Sequence, residues 1–140
     1  MQYTTLANTD IEISQIVLGC WALGGGYTWG DQDDKTSIDT VAAALDAGIN
    51  CFDTAEYYGM GHSERVLGDA LAGKRNKAVL ISKIWVENMD RQGVVRACEG
   101  SLERLKTDYL DLYMIHWPNR EVPLSETLEA MLALRESGKV

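Results

Sequence analysis

The run Ile49-Asn50-Cys51-Phe52-Asp53-Thr54-Ala55-Glu56-Tyr57-Tyr58-Gly59 passes from apolar residues to an acid, and a tyrosine follows five positions after that acid. Its apolar part reads as a strand covered on both faces, because β-branched and aromatic residues suit a buried pleat. Asp53 then stands where the strand ends, and Tyr58 on the loop before the next helix. Strand C-termini and the loops after them build the functional face of parallel α/β folds, so an acid there is a catalytic candidate. Taken alone, Asp53 serves equally well as a cap for a loop or a following helix. The rest of the chain decides between these roles.

Upstream, residues 1–14 alternate around Asn8-Thr9-Asp10 and predict a small hairpin. Ile16-Val17-Leu18-Gly19 predicts a first buried strand, and Trp21 to Asp34, rich in glycine and aromatics, a long loop. Asp33 or Asp34 caps a helix to about Ala47, with Ile38, Val41, Ala42 and Leu45 as its apolar stripe and Gly48 as its stop. Downstream, Ser63 is the expected cap of a helix from Glu64 to Ala72, with Val66, Leu67, Ala70 and Leu71 inward. A third strand covers Ala78 to Lys83, and a helix from Asp90 to Leu105 carries Val94, Val95, Cys98, Leu102 and Leu105. Leu110 to Trp117 is the fourth strand, and Leu124 to Ser137 the last helix, with Leu128, Met131, Leu132 and Arg135 along it.

Strand and helix thus alternate, with strand starts near 16, 49, 78 and 110, the spacing of repeated right-handed βαβ units and a parallel sheet. A doubly wound dinucleotide fold and a closed (β/α)8 barrel share this order. No GxGxxG follows the first strand, and Gly24-Gly25-Gly26 and Gly59-Met60-Gly61 have the wrong phase for one, which favours the barrel. A complete barrel takes about 250 residues. Residues 1–140 are therefore expected to form one incomplete domain: the hairpin plus the first four βα units, a half barrel. Its first and fourth strands would keep open edges and an uncovered apolar face, so self-association or a complementing chain is expected.

The chain is 46% hydrophobic and 24% charged, with a formal net charge of -8 and a pI near 4.7. That balance argues against nucleic acid or anionic membrane as a main partner, since both require a basic footprint. No apolar run reaches the ~18 residues of a membrane helix, and no signal-peptide pattern opens the chain. Cys20, Cys51 and Cys98 are odd in number and lack CxxC spacing. They are expected as buried free thiols in a reducing, cytoplasmic setting.

Three of the four predicted strands end in a titratable residue, Asp53, Lys83 and His116, and Tyr58 lies one loop from Asp53. Each has a plainer reading: Lys83 as a snorkelling lysine, His116 as a satisfied core histidine, Tyr58 and Tyr57 as loop packing. Together their chemistry is coherent. A free phenol is a sluggish acid at neutral pH. An ammonium beside it favours the phenolate, and a carboxylate holds that ammonium charged and in place. An imidazole nearby can donate to a carbonyl oxygen or relay a proton. The set suits proton delivery to an oxygen that gains charge as hydride reaches its carbon.

Phe52-Asp53-Thr54-Ala55-Glu56-Tyr57-Tyr58-Gly59, Ile81-Ser82-Lys83-Ile84-Trp85, and Asp108-Tyr109-Leu110-Asp111-Leu112-Tyr113-Met114-Ile115-His116-Trp117-Pro118 resemble aldo-keto reductase signatures. The hairpin and Gly19-Cys20-Trp21 match the family's opening, and the resemblance covers the whole chain. It is similar in particular to the bacterial branch of inositol-associated and general-stress reductases. The resemblance implies reduction of an aldehyde or ketone with NADPH, the choice against NADH being open because the segments that grip the nucleotide are not in this sequence. Tyr58 would be the general acid, its pKa lowered by Lys83, with Asp53 paired to Lys83 and His116 orienting the substrate carbonyl. Asp53, Gly19, Cys20 and Trp21 would lie on the cofactor side, although Cys20 stands where relatives often carry a hydroxyl. Trp21, Trp85, His116 and Trp117 would line the substrate pocket, with core packing as the alternative for the tryptophans.

Two other readings compete. A non-enzymatic interaction module, or a catalytically silent fragment, would keep the fold without cofactor binding. A metal-dependent barrel hydrolase would use Asp53, Glu56, His62 and His116, but two histidines without HxH or HExxH make poor metal ligation, and no metal is expected.

Overall fold

The thirty-residue repeat becomes a parallel sheet backed by helices. The computed structural model describes all residues, Met1–Val140. Strands β1 (Tyr3–Thr5) and β2 (Glu12–Ser14) form the antiparallel hairpin, with Tyr3 opposite Ser14. Strands β3 (Val17–Gly19), β4 (Cys51–Asp53), β5 (Val79–Ile84) and β6 (Leu112–Ile115) then lie side by side, all parallel and in chain order. Helices α2 (Asp34–Asp46), α3 (His62–Ala70), α4 (Arg91–Leu105) and α5 (Leu124–Glu136) follow strands β3 to β6 in turn. A single turn, α1 (Gly26–Trp29), interrupts the segment expected as loop. The result is a hairpin plus four βα units of a (β/α)8 barrel, with an open four-stranded sheet.

Alternation along the strands places the core. Phe52 and Leu80 are in register and wholly buried, and with Ile84 and Tyr113 they meet Val41, Leu67, Val94, Cys98 and Leu102 from the helices. Each such side chain contributes about 1.5–3 kcal/mol by leaving water. Neighbouring rows run Gly19–Asp53–Ile81–Leu112 and then Lys83–Met114 on the other face. That face is only partly covered. Val17 on edge strand β3 is 40% exposed, so the expectation of a strand buried on both sides fails there for want of a neighbour.

Local chemistry explains most boundaries. Asp33 caps α2 by accepting from Thr36 N at 2.8 Å, and Asp90 caps α4 by accepting from Gln92 N and Gly93 N. Ser63 is not the cap of α3. The helix begins at His62, two residues earlier than expected, after Gly61 in the left-handed region at φ +80°, and the buried Ser63 hydroxyl instead donates to Cys20 O at 2.6 Å. On α5 the buried residues are Thr127, Ala130 and Leu134, while Leu124, Leu128 and Leu132 form an exposed stripe. Small residues let α5 approach its neighbour closely, and the leucines expected to pack face outward with nothing over them. All three cysteines are buried and free.

Candidate active site

The strand ends converge at one edge of the sheet. Lys83, 8% exposed, extends its ammonium to the Asp53 carboxylate, to Thr54 O at 2.9 Å and to Tyr58 Oη at 3.3 Å. An ammonium has three donors, and all three are engaged. Tyr58 Oη therefore accepts from Lys83, and no protein acceptor takes its own proton. That proton is free for a ligand. The arrangement is a phenol with one lone pair pinned by a cation and its O–H directed by whatever enters the cavity.

His116 follows β6, with its backbone N–H donating to Ile84 O at 3.0 Å. Its ring stands nearly perpendicular to Tyr58, at 88° and 5.4 Å between centroids. Burial, and then the Lys83 charge, hold the imidazole below its ordinary range, against a smaller opposing pull from Asp53. The ring is neutral at neutral pH and carries one N–H. Its Nδ1 is buried without a hydrogen-bond partner.

Aromatic rings wall the space in front of these groups. Trp21, Tyr57, Tyr58, His116 and Trp117 line a cavity of about 180 Å³. Trp21 stacks on Tyr58 at 5.9 Å, and Trp117 lies parallel to His116 at 6.4 Å. Trp21 is 46% and Trp117 60% exposed, so neither is a core residue. Trp85 meets the His116 ring edge-on, at 78° and 5.3 Å between centroids. It stacks on Tyr57 at 3.7 Å and lines a separate cavity of about 160 Å³ with Glu56, Glu87 and Asn88. Tyr57, read from sequence as loop packing, thus walls the cavity, with Trp85 stacked on it and against His116.

On the β3 side, Gly19 and Trp21 are exposed while Cys20 is wholly buried. The Cys20 thiol lies 3.4 Å from Leu18 O, its N–H donates to Asp53 O, and its carbonyl accepts from Ser63. Burial, reinforced by the nearby Asp53, pushes the thiol up to about 12. Cys20 offers no surface to a ligand, and the face at this strand end belongs to Gly19 and Trp21.

Several supporting contacts gave no signal in the sequence. The Ser63 hydroxyl, 2.9 Å from Thr54 Oγ1, joins the end of β3 to the Tyr58 loop through Cys20 O. Gly24 lets the two loops touch, because a Cβ there would meet Gly59 N at 2.8 Å. The fully buried Glu64 accepts from Ser82 Oγ and Arg104 Nε, both at 2.6 Å, and locks α3, β5 and α4 together. Glu56 and His62 take no part in a metal cluster: Glu56 accepts from Trp85 N, His62 pairs with Asp34, and no three His, Cys, Asp or Glu side chains gather. A cavity of about 200 Å³ between Tyr3, Asn50, Lys74 and Lys77 lies at the opposite strand ends and shares no residue with the site. No helix is long and apolar enough to cross a membrane.

Known proteins show the same arrangement of chain. The model of the aldo/keto reductase family matches residues 15–140. Aldo-keto reductase YhdN of Bacillus subtilis is 47% identical over 150 residues, covering 100% of this chain and 45% of YhdN. The crystal structure of the thermostable aldo-keto reductase Tm1743 in complex with the inhibitor epalrestat superposes with a TM-score of 0.92 at 41% identity, over 99% of this chain and 51% of that one. An aldo-keto reductase from Klebsiella pneumoniae in complex with NADPH gives a TM-score of 0.84 at 38% identity, over 93% of this chain and 44% of that one. The chain spans about half the length of the relatives it matches. Its strand order, its strand-end residues and these matches agree: the chain belongs to the aldo/keto reductase family.

Proposed function

We propose that this chain carries the proton-donating half of an NAD(P)H-dependent reductase of aldehydes or ketones. The observation that carries this reading is the Lys83 ammonium held between the Asp53 carboxylate and Tyr58 Oη. Tyr58 gives its proton to the carbonyl oxygen. At 3.3 Å, attraction between the ammonium and the phenolate left behind is roughly 5 kcal/mol at an effective dielectric near 20, an upper figure because Asp53 offsets part of the charge. His116 presents its accessible nitrogen to the same oxygen and fixes the carbonyl's orientation. Trp21, Tyr57 and Trp117 shed water from the space where charge develops.

The residues present fit a nicotinamide on the β3 side. A Cβ at Gly19 would meet nothing within 4 Å, so a flat ring can approach the sheet beside the exposed Trp21 and the partly exposed Asp53. The cofactor, when bound there, supplies the hydride to the carbonyl carbon. The NADPH complex of the Klebsiella pneumoniae relative supports NADPH as that cofactor. The match to YhdN supports a place among the bacterial reductases, and the likeness to the inositol-associated and general-stress branch rests on the motifs.

Residues 1–140 are read as the N-terminal half of a reductase barrel, one incomplete domain. The exposed Leu124, Leu128 and Leu132 stripe and the free edges of β3 and β6 support this, as does the half-length match. Self-association or a complementing chain would cover them, and light scattering should give a dimer or larger species; a monomer with a cooperative melt would contradict it. The catalytic reading is tested by Tyr58→Phe in an assembly that turns over NADPH. Turnover should fall far more than cofactor affinity, because the proton donor goes and the pocket stays. Equal losses in both would assign Tyr58 a structural role.

A further inference from the structure

Glu56 is two residues before Tyr58, and its carboxylate leaves the loop to accept from Trp85 N at 2.6 Å and Asn88 Nδ2 at 3.1 Å. Trp85 lies two residues after Lys83. One side chain thus ties the loop carrying the phenol to the chain just beyond the ammonium. The bond is short, and the reach of the glutamate side chain sets the separation of the two segments. The tied turn, Val86–Asn88, is held from the segment after β6 as well, since Asn119 Nδ2 donates to Val86 O at 2.9 Å. Stacking of Tyr57 on Trp85 closes the same gap from the cavity side.

We propose that Glu56 is a positioning residue that sets the Tyr58–Lys83 distance through Trp85 N. This rests on the reductase reading for its consequence, though the clamp can be observed without turnover. A contact of 3.3 Å between Tyr58 Oη and Lys83 Nζ tolerates little slack, and a misplacement of about 1 Å can cost about 100-fold in rate. The clamp works through reach and acceptor geometry. Its charge is incidental, so the isosteric amide should replace it while the shorter carboxylate should not.

The test compares Glu56→Gln, Glu56→Asp and Glu56→Ala in the full chain by NMR of the Trp85 amide and the Tyr58 ring. Glu56→Gln should leave both signals near their parent positions. Glu56→Asp, a methylene short, should lose the downfield Trp85 amide shift and move the Tyr58 resonances, and Glu56→Ala should do the same. Should the alanine variant fail to fold, the aspartate variant decides. Tyr58 signals unmoved in Glu56→Asp, or moved equally in Glu56→Gln, would overturn the proposal. In NADPH-dependent reduction the aspartate variant should lose about 100-fold in kcat with little change in KM, and the glutamine variant should recover most of it. An expected NMR pattern in a parent that shows no turnover would leave the clamp standing and would count against reduction by this chain on its own.

Discussion

Replacing Arg104 with methionine should be among the most damaging changes outside the site. Glu64 is wholly buried, and Arg104, with its side chain 25% exposed, supplies its only cationic partner. In Arg104→Met, the carboxylate keeps the Ser82 hydroxyl at 2.6 Å and nothing else polar that it accepts from in the native structure. Leaving one charge of a buried pair without its partner costs about 3–5 kcal/mol. The lower end applies here, because the Ser82 hydrogen bond remains. For a chain of this size, about 3 kcal/mol corresponds to a fall of roughly 10 °C in Tm. Urea unfolding followed by far-UV circular dichroism measures it directly, at pH 7 where carboxylates are ionised. The double variant Glu64→Gln/Arg104→Met removes the stranded charge and should regain more than half of the loss. A loss below about 1 kcal/mol for Arg104→Met, or a double variant no better than the single, would refute the account of α3, β5 and α4 as locked by a buried ion pair.

Two further predictions concern titration. The His116 imidazole, held down by burial and by the Lys83 charge, should titrate below its ordinary 6.5 in a proton NMR series, and Lys83→Met should raise it; a midpoint at or above 6.5 would contradict the geometry. A depressed imidazole means the unfolded chain binds protons first, so this contribution to stability is lost as pH falls through that window. The cysteines act at the other end of the scale. Burial pushes Cys51 and Cys98 up to about 11 and Cys20 to about 12. Unfolded thiols ionise first, so stability should be intact at pH 8 and decline as pH rises from about 9 toward those values. Urea midpoints that stay constant from pH 8 to about 10.5, or rapid alkylation of the native thiols at pH 8, would count against it.

What the sequence revealed and what it hid follow from the range of each interaction. Caps and periodic stripes are local, so the Asp33 cap and the core faces of α2 and α4 were legible, and the start of α4 was legible to within one residue. Strand-end chemistry was legible too, because parallel connectivity forces Asp53, Lys83 and His116 to one edge. Ser63 was misread because its hydroxyl answers to Cys20 O, 43 residues away. The leucines of α5 misled for a related reason: helical spacing identifies an apolar stripe but not whether anything lies over it. Tyr57 was missed as a wall of the cavity because side-chain direction on an irregular loop carries no period. Glu56 suggested a metal ligand by composition, whereas its partner is a backbone N–H, which no pattern of side chains can display.

The measurement that bears most directly on the central claim is a titration of the chain with NADPH, followed by quenching of tryptophan fluorescence. Trp21, two residues after Gly19 and exposed, lies where the nicotinamide is proposed to bind, so it is the reporter. Saturable quenching at micromolar NADPH, reduced in Trp21→Phe, is the result expected of a chain that assembles a working reductase site. No quenching up to millimolar NADPH would contradict that claim for this chain, making it a member of the family that cannot hold the hydride donor by itself.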